Sequence, residues 1–465
     1  MKLRCLLLAL LAVAGAATAQ DIRLPDYERV VLDNGAVLLL AEKHDVPLIG
    51  MRATMRGGSV TDPADKAGLS HLLAAALQKG AGGRDAAAFA EAAASVGGFV
   101  DVAAALESTD LTAEFLSRDV ELMIELVADL LMRPALAEDE FEKERERASA
   151  LISAARDGSV GGLMPAYAGA FIFGDHAYGK APRGSESTLA AIEHADLQHH
   201  YEAHFGGDRL ILSVVGDFDL AAMKARLSEV FGAWEAASGE LPTLEPAPRI
   251  EGRRVLLVDK PGAQQTYFWM GNVGVGIDYA QRADLRIANT LFGGRFTSML
   301  MTALRVEAGL TYGARSAVAQ HSTPGHVTIR SSAETAMTVE AIDMAIALLG
   351  KLHEDGADEE MVASARNYIM GQFPPTLETA ASLATTFAWL ELYGLGRDYI
   401  DTYGTALEAV TPETLAAAVG DVYPVSDNLL IVLVGDAEAI RDAVARYGPV
   451  TEMSITEPRF RPASE

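Results

Sequence analysis

Thiol chemistry is almost missing from this chain. Its 465 residues hold one cysteine, Cys5, and that residue sits in an opening stretch, MKLRCLLLALLAVAGAATA, that ends in Ala17-Thr18-Ala19 before Gln20. Two early cations, a short apolar run and a small-residue A-x-A site have the form of a secretory signal, so residues 1–19 are expected to be cleaved. The mature chain would then carry no thiol, which excludes disulfides and thiolate metal ligands. Long apolar runs are also lacking: nothing after the leader approaches the roughly 20 residues of a membrane-spanning helix. The expectation is an exported protein, periplasmic in a bacterial cell, with no membrane insertion after signal cleavage. Basic residues are scarce as well, 38 Lys and Arg against 64 Asp and Glu for a formal charge of −26, and loss of Lys2 and Arg4 with the leader deepens it by two. Such a surface repels phosphate backbones and argues against a nucleic-acid partner.

What the chain does have is a pattern stated twice. Asp208 to Gly216 reads DRLILSVVG and Asp427 to Gly435 reads DNLLIVLVG, 219 positions later, and each is followed by an acidic residue and an amphipathic helical run. Both halves open on β-rich segments, RVVLDNGAVLLL from Arg29 and RRVLLVDKPGAQQTYFWM from Arg253. Between them GELPTLEPAPRI, residues 239–250, has three prolines and no apolar periodicity, the marks of an extended linker. The sequence therefore predicts two homologous domains, residues 20–238 and 251–465, of ordinary domain size. Within each, strands come first, then a helix-rich middle, then a buried strand and a closing helix. VELMIELVADLL from Val120 and AEDEFEKERERASALISAARD after it predict a helical pair, which TVEAIDMAIALLGKLHEDG and DEEMVASARNYIMGQF repeat. Strands grouped beside helices predict an α+β fold, each domain a mostly antiparallel sheet with helices packed on it.

Several segments in this order resemble the M16 zinc peptidases, the family of insulin-degrading enzyme, pitrilysin and the mitochondrial processing peptidase, over nearly the whole mature chain. GLSHLLAAALQKG, residues 68–80, resembles the family's zinc helix with its His-x-x-Glu-His motif; FAEAAASVGGFVDV from Phe89 resembles the segment that follows it. HAYG at His176–Gly179 is similar to the family's His-Pro-Tyr-Gly, and VDKPGAQQ, Val258 to Gln265, to the opening strand of its second domain. In that motif two histidines one helical turn apart supply zinc nitrogens and the intervening Glu accepts a proton from metal-bound water. Here His71 stands at the first position, but Ala74 occupies the Glu position and Ala75 that of the second His. The third family ligand, a Glu one long helix downstream, falls at Ala150 or its neighbour Leu151. One imidazole cannot hold zinc, because affinity comes from three or four ligands together. His71 therefore reads as a residual packing histidine, with no cofactor in this chain.

His200 and His204 in HHYEAHF stand one helical turn apart with Glu202 between them, but neither known placement of the Glu in zinc helices fits, so the pair reads as structural. The second domain keeps GGRFTSMLMTALRVEAGLTYG, Gly293 to Gly313, which resembles the family's substrate-binding segment and places its Arg and Tyr at Arg305 and Tyr312. Read alone, ALRVEAG is a helix end with Gly309 as its left-handed terminator, and Tyr312 then begins a strand. A guanidinium and a phenol can each donate to a peptide carbonyl and to the oxyanion formed from it. In two-subunit members of the family one chain brings the zinc motif and the other brings this Arg and Tyr. The resemblance thus implies the second kind of subunit, in a periplasmic heterodimer with a zinc-motif-bearing M16 homologue that holds the zinc, acting on peptide substrates. A non-catalytic peptide-binding or structural homodimer is the alternative; no Gly-x-Ser-x-Gly or usable thiol supports a different hydrolase.

Overall fold

The computed structural model describes residues 23–158 and 160–462, so the expected signal segment lies outside the described residues. Two six-stranded sheets dominate it. The first holds β1 (Glu28–Val31), β2 (Val37–Glu42), β3 (Leu48–Arg56), β6 (Phe99–Ala104), β7 (Ser108–Leu116) and β8 (Leu210–Gly216), in the order β1-β2-β8-β3-β7-β6. A two-residue ribbon, β4 (Gly80–Ala81) and β5 (Arg84–Asp85), stands apart. The second sheet holds β9 (Arg254–Asp259), β10 (Gln265–Val273), β11 (Ala314–Ala319), β12 (His326–Glu334), β13 (Leu430–Gly435) and β14 (Val450–Ser454), in the order β11-β12-β10-β13-β9-β14.

Read from the opposite edge, the second order matches the first strand for strand over five positions. Only the contact of the opening strand with the closing one is parallel within that set, β2 with β8 and β9 with β13; the other pairings are antiparallel. The sixth strand differs in origin. β1 comes from the N-terminal side and runs antiparallel to β2, whereas β14 comes from the C-terminal side and runs parallel to β9. The two halves thus share an α+β plan, and each borrows its last edge from whichever chain end lies nearest.

The helical pair expected in each half is present: Val120–Met132 with Glu138–Asp157, and Thr338–Glu354 with Glu359–Gln372. Residues 240–250 form neither helix nor strand. The strands VLLLAE and LIVLVG are apolar without alternation because both faces of each sheet are covered, as continuous apolar runs in strands require. The covering is crossed between halves. Leu38 and Leu40 turn to the helices of their own half, while Val37, Leu39, Ile211 and Val215 meet Leu383, Ala384 and Phe387 of helix Ala380–Leu392, a segment of the second half. Conversely, Leu256, Val258, Val432 and Val434 of the second sheet share a core with Tyr167, Ala168 and Ile172 of helix Met164–Phe173, a segment of the first. Gly50 in β3 makes one crossing possible: a Cβ there would sit 2.6 Å from the Ala381 nitrogen, so only a bare backbone admits the helix this closely.

Polar contacts add to this exchange. Glu107, in the turn between β6 and β7, accepts hydrogen bonds from the Tyr178 hydroxyl at 2.6 Å and from the Ser322 backbone N–H at 3.1 Å; Ser322 lies in the turn between β11 and β12. These bonds to the charged form pull the Glu107 carboxyl below its ordinary range although burial pushes the other way.

Candidate functional site

The segment resembling a zinc helix is helical over Leu69–Leu77. It is less amphipathic than its spacing suggests: Leu69, Ser70, Leu72, Leu73, Ala74, Ala76 and Leu77 are all buried, and only His71 and Ala75 are partly open. Those two lie at i and i+4, one above the other on the single uncovered strip. The helix lies against β6, an edge strand of the first sheet, where Gln78 donates from Nε2 to the Val102 carbonyl at 2.9 Å.

Its N-terminus is closed from a distance. No Ser, Thr or Asp stands at the cap, where Gly68 has φ of 98°. Instead the buried Asp62 carboxylate accepts from the backbone N–H of Gly68 at 2.8 Å and of Ser70 at 2.9 Å, and from the Ser70 hydroxyl at 2.6 Å. A carboxylate at a helix N-terminus complements both the free N–H groups and the macrodipole. Burial nevertheless pushes the Asp62 carboxyl up to about 6, outweighing these bonds.

His200 completes this network. Its Nε2 lies 3.1 Å from the Ser70 hydroxyl and 3.8 Å from Asp62 Oδ1, and its ring meets that of His204 edge to face at 4.6 Å. Burial drives the His200 imidazole down to about 3, so it is neutral at ordinary pH. The helix His194–His204 therefore buries His200 against the Asp62 cap.

A zinc ion does not fit the donors around His71. Burial and the nearby Arg183 hold the imidazole below its ordinary value, but Ala74 and Ala75 offer no ligand atom. On helix Glu138–Asp157 both Ala150 and Leu151 are exposed alkyl side chains. The carboxylate on that helix whose field reaches His71 is Glu144, which pairs with Lys79 at 2.9 Å. Among the described residues no group of three or more His, Cys, Asp or Glu side chains is placed to hold a metal ion.

The second half gathers the other candidates. Arg305 lies in Met301–Glu307, which is wound as a π-helix: the Ala308 N–H bonds the Ala303 carbonyl five residues back, and the Leu310 N–H reaches the Leu304 carbonyl. Gly309 ends it in the left-handed region at φ of 65°, as its sequence context predicts. Tyr312 departs from expectation. It does not open the strand, which begins at Ala314, but stands in the loop before it, and it is 86% exposed. The left-handed residue turns the chain sharply and pairing with β12 starts only at Ala314, so the phenol projects from an unpaired backbone.

Across this short loop Arg305 and Tyr312 come together. The guanidinium carbon lies 4.7 Å from the Tyr312 ring centroid and 5.0 Å from that of Phe296. Phe296 is itself 60% exposed. Two aromatic faces attract the cation while leaving the N–H groups at the rim of the plane free to donate. Among the described residues Arg305 has no ion pair competing for that fork. Phe296 escapes sequence reasoning because nine residues at ordinary helical winding do not bring it onto Arg305; the wider winding and the loop do.

Comparisons with known proteins bear on the family and the fold. The family model described as "Insulinase (Peptidase family M16)" matches residues 39–160 and the one described as "Peptidase M16 inactive domain" matches residues 191–369. An uncharacterized zinc protease of Mycobacterium leprae is 27% identical over 362 residues, covering 77% of this chain and 81% of its own length. One of Bacillus subtilis is 23% identical over 355 residues, covering 76% and 85%. Among solved structures, a peptidase M16 inactive domain from Pseudomonas fluorescens superposes with a TM-score of 0.82 at 20% identity, over 88% of this chain and all but 2% of that one. A protease from Helicobacter pylori gives 0.80 at 19% identity, over 88% of this chain and 100% of its own.

Proposed function

Because this chain belongs to the M16 peptidase family, we propose that it is the non-zinc-binding subunit of a periplasmic heterodimeric peptidase, which clamps an extended peptide and presents Arg305 and Tyr312 to the reacting bond. The observation that carries this reading is the Arg305 stack. A guanidinium held between Phe296 and Tyr312, with no ion-pair partner among the described residues and with its donors open, has the attributes of a preorganised donor. The first half of the same chain, by contrast, has alanine at two of the positions that would bind and activate water.

The division of labour follows from the chemistry. Activation of the attacking water falls to a zinc-motif-bearing M16 homologue. This chain supplies orientation: β6 and β11 occupy equivalent edges of the two sheets, with no further strand paired to them, and an extended peptide can add there. As the scissile carbonyl becomes tetrahedral, N–H groups of Arg305 and the O–H of Tyr312 donate to its oxygen, where negative charge develops. Closing of two subunits around the peptide excludes water and fixes its approach.

Co-expression with the zinc-motif homologue encoded nearest this chain, followed by peptide-hydrolysis assays, tests the reading. In the assembled pair Arg305→Ala or Tyr312→Phe should lower kcat/KM by about ten- to a thousand-fold, the range for loss of one oxyanion donor, with assembly intact. Arg305→Lys should not rescue, because an ammonium lacks the planar fork. Wild-type rates in both Arg305→Ala and Tyr312→Phe would refute the catalytic role and leave this chain as a scaffold for its partner.

A further inference from the structure

On the face of the second sheet that looks toward helix Met164–Phe173, three strands align one row of side chains. Arg315 on β11 stands directly opposite Arg330 on β12, and Arg330 stands opposite Trp269 on β10. Like charges opposite one another in an antiparallel pair repel, and such pairs are disfavoured unless something compensates them. Nothing in the protein does: among the described residues neither guanidinium has an ion pair or hydrogen bond, in a chain with 64 acidic side chains available. Both are solvent-exposed and line an open cavity of about 510 Å³ that has no carboxylate in its lining. Its opposite wall is apolar, formed by Met164, Pro165, Ala168 and Ile172 of the helix. His326, also in the wall, is held near 4 by burial and adds no third charge at neutral pH.

We propose that Arg315 and Arg330 form a carboxylate-binding subsite, which takes a carboxylate group carried on an apolar or aromatic body. Two guanidinium forks offer paired N–H donors that match the two oxygens of a carboxylate, and one anion relieves the repulsion of both cations. Trp269 and the helix wall receive the apolar body beside it. Gly313 lies both in this cavity and next to Tyr312, so the subsite opens beside the Arg305 stack. As a subsite for peptides the assignment rests on the peptide-clamping reading. It gives that reading a substrate preference: peptides with a free C-terminal carboxylate or an acidic side chain one subsite away from the reacting bond.

The small probe is N-benzoylglycine, titrated against the full-length mature chain by ligand-observed NMR with its primary amide as control. The acid should bind at least tenfold more tightly than the amide. Arg315→Gln with Arg330→Gln should erase that preference, and Arg315→Gln alone should leave the unfolding temperature of the empty protein unchanged or raised, because a repulsion is removed. Equal binding of acid and amide, or a preference that survives the double variant, would overturn the assignment. Three decapeptides of one sequence then separate the sources by calorimetry on the pair assembled with the zinc-motif homologue, its metal removed by a chelator so that the peptides are not cut: free C-terminus, amidated C-terminus, and amidated with an internal Glu. Tighter binding of either acidic peptide supports the subsite and identifies which carboxylate it takes. If N-benzoylglycine binds as expected and no decapeptide does, the subsite stands and the peptide-clamping reading falls.

Discussion

Phe387 lies in the second half of the chain yet packs in a core with Val37, Leu39, Ile211 and Val215 of the first sheet, and its ring centroid lies 4.4 Å from that of Tyr27. Its side chain is 1% exposed. Truncation to alanine removes the buried ring and leaves a void that a β-sheet on one side and a helix on the other cannot collapse around, a change that costs about 3–5 kcal/mol in comparable cores. At 1.4 kcal/mol per factor of ten, the folded population falls by roughly two to three and a half powers of ten relative to the unfolded. The crossed packing decides where this loss is felt. Native-state amide hydrogen exchange should show β2 and β8, more than 150 residues away in sequence, losing protection together with helix Ala380–Leu392. Urea unfolding should remain a single transition at a lower midpoint. If β8 keeps its wild-type protection while helix Ala380–Leu392 exchanges freely, the two halves are not energetically interlocked and the reasoning fails.

Elemental analysis of the isolated mature chain should find no stoichiometric zinc, and Ala74→Glu with Ala75→His should not confer proteolysis on it, since Ala150 and Leu151 still offer no third ligand; about one tightly held zinc per chain would contradict this. The neutral imidazole of His200 sets a pH signature. Its folded pKa of about 3 lies below its ordinary value of 6.5, so its contribution is present above 6.5 and lost as pH falls towards 3. Asp62, raised from 3.8 to about 6, has the opposite slope, its contribution fading as pH rises between those values. The stability deficit of His200→Asn, measured by urea unfolding, should therefore shrink between pH 7 and pH 4.5, and a constant deficit would refute the assignment. In the assembled peptidase, Phe296→Ala should lower kcat/KM by less than Arg305→Ala does, because it loosens the guanidinium without removing it; a loss as large as that of Arg305→Ala would mean that the ring itself touches substrate.

Elements with a local signature were legible in the sequence. The apolar runs VLLLAE and LIVLVG announced strands, the 3.6-residue periodicity of Val120–Met132 and Thr338–Glu354 announced helices, and Gly309 announced a left-handed turn, because each depends on neighbours a few residues away. The alanines at 74 and 75 were equally legible, since a missing donor atom is a property of the residue itself. What depended on distant partners was not. Nothing local says that the helix on the outer face of each sheet comes from the other half, that Asp62 caps a helix six residues ahead, or that β1 and β14 arrive at matching edges from opposite chain ends. The same holds for Phe296 against Arg305 and for Arg315 opposite Arg330: side-chain chemistry is written residue by residue, but which charges and rings meet is fixed by strand register, helix winding and the packing of elements far apart in sequence.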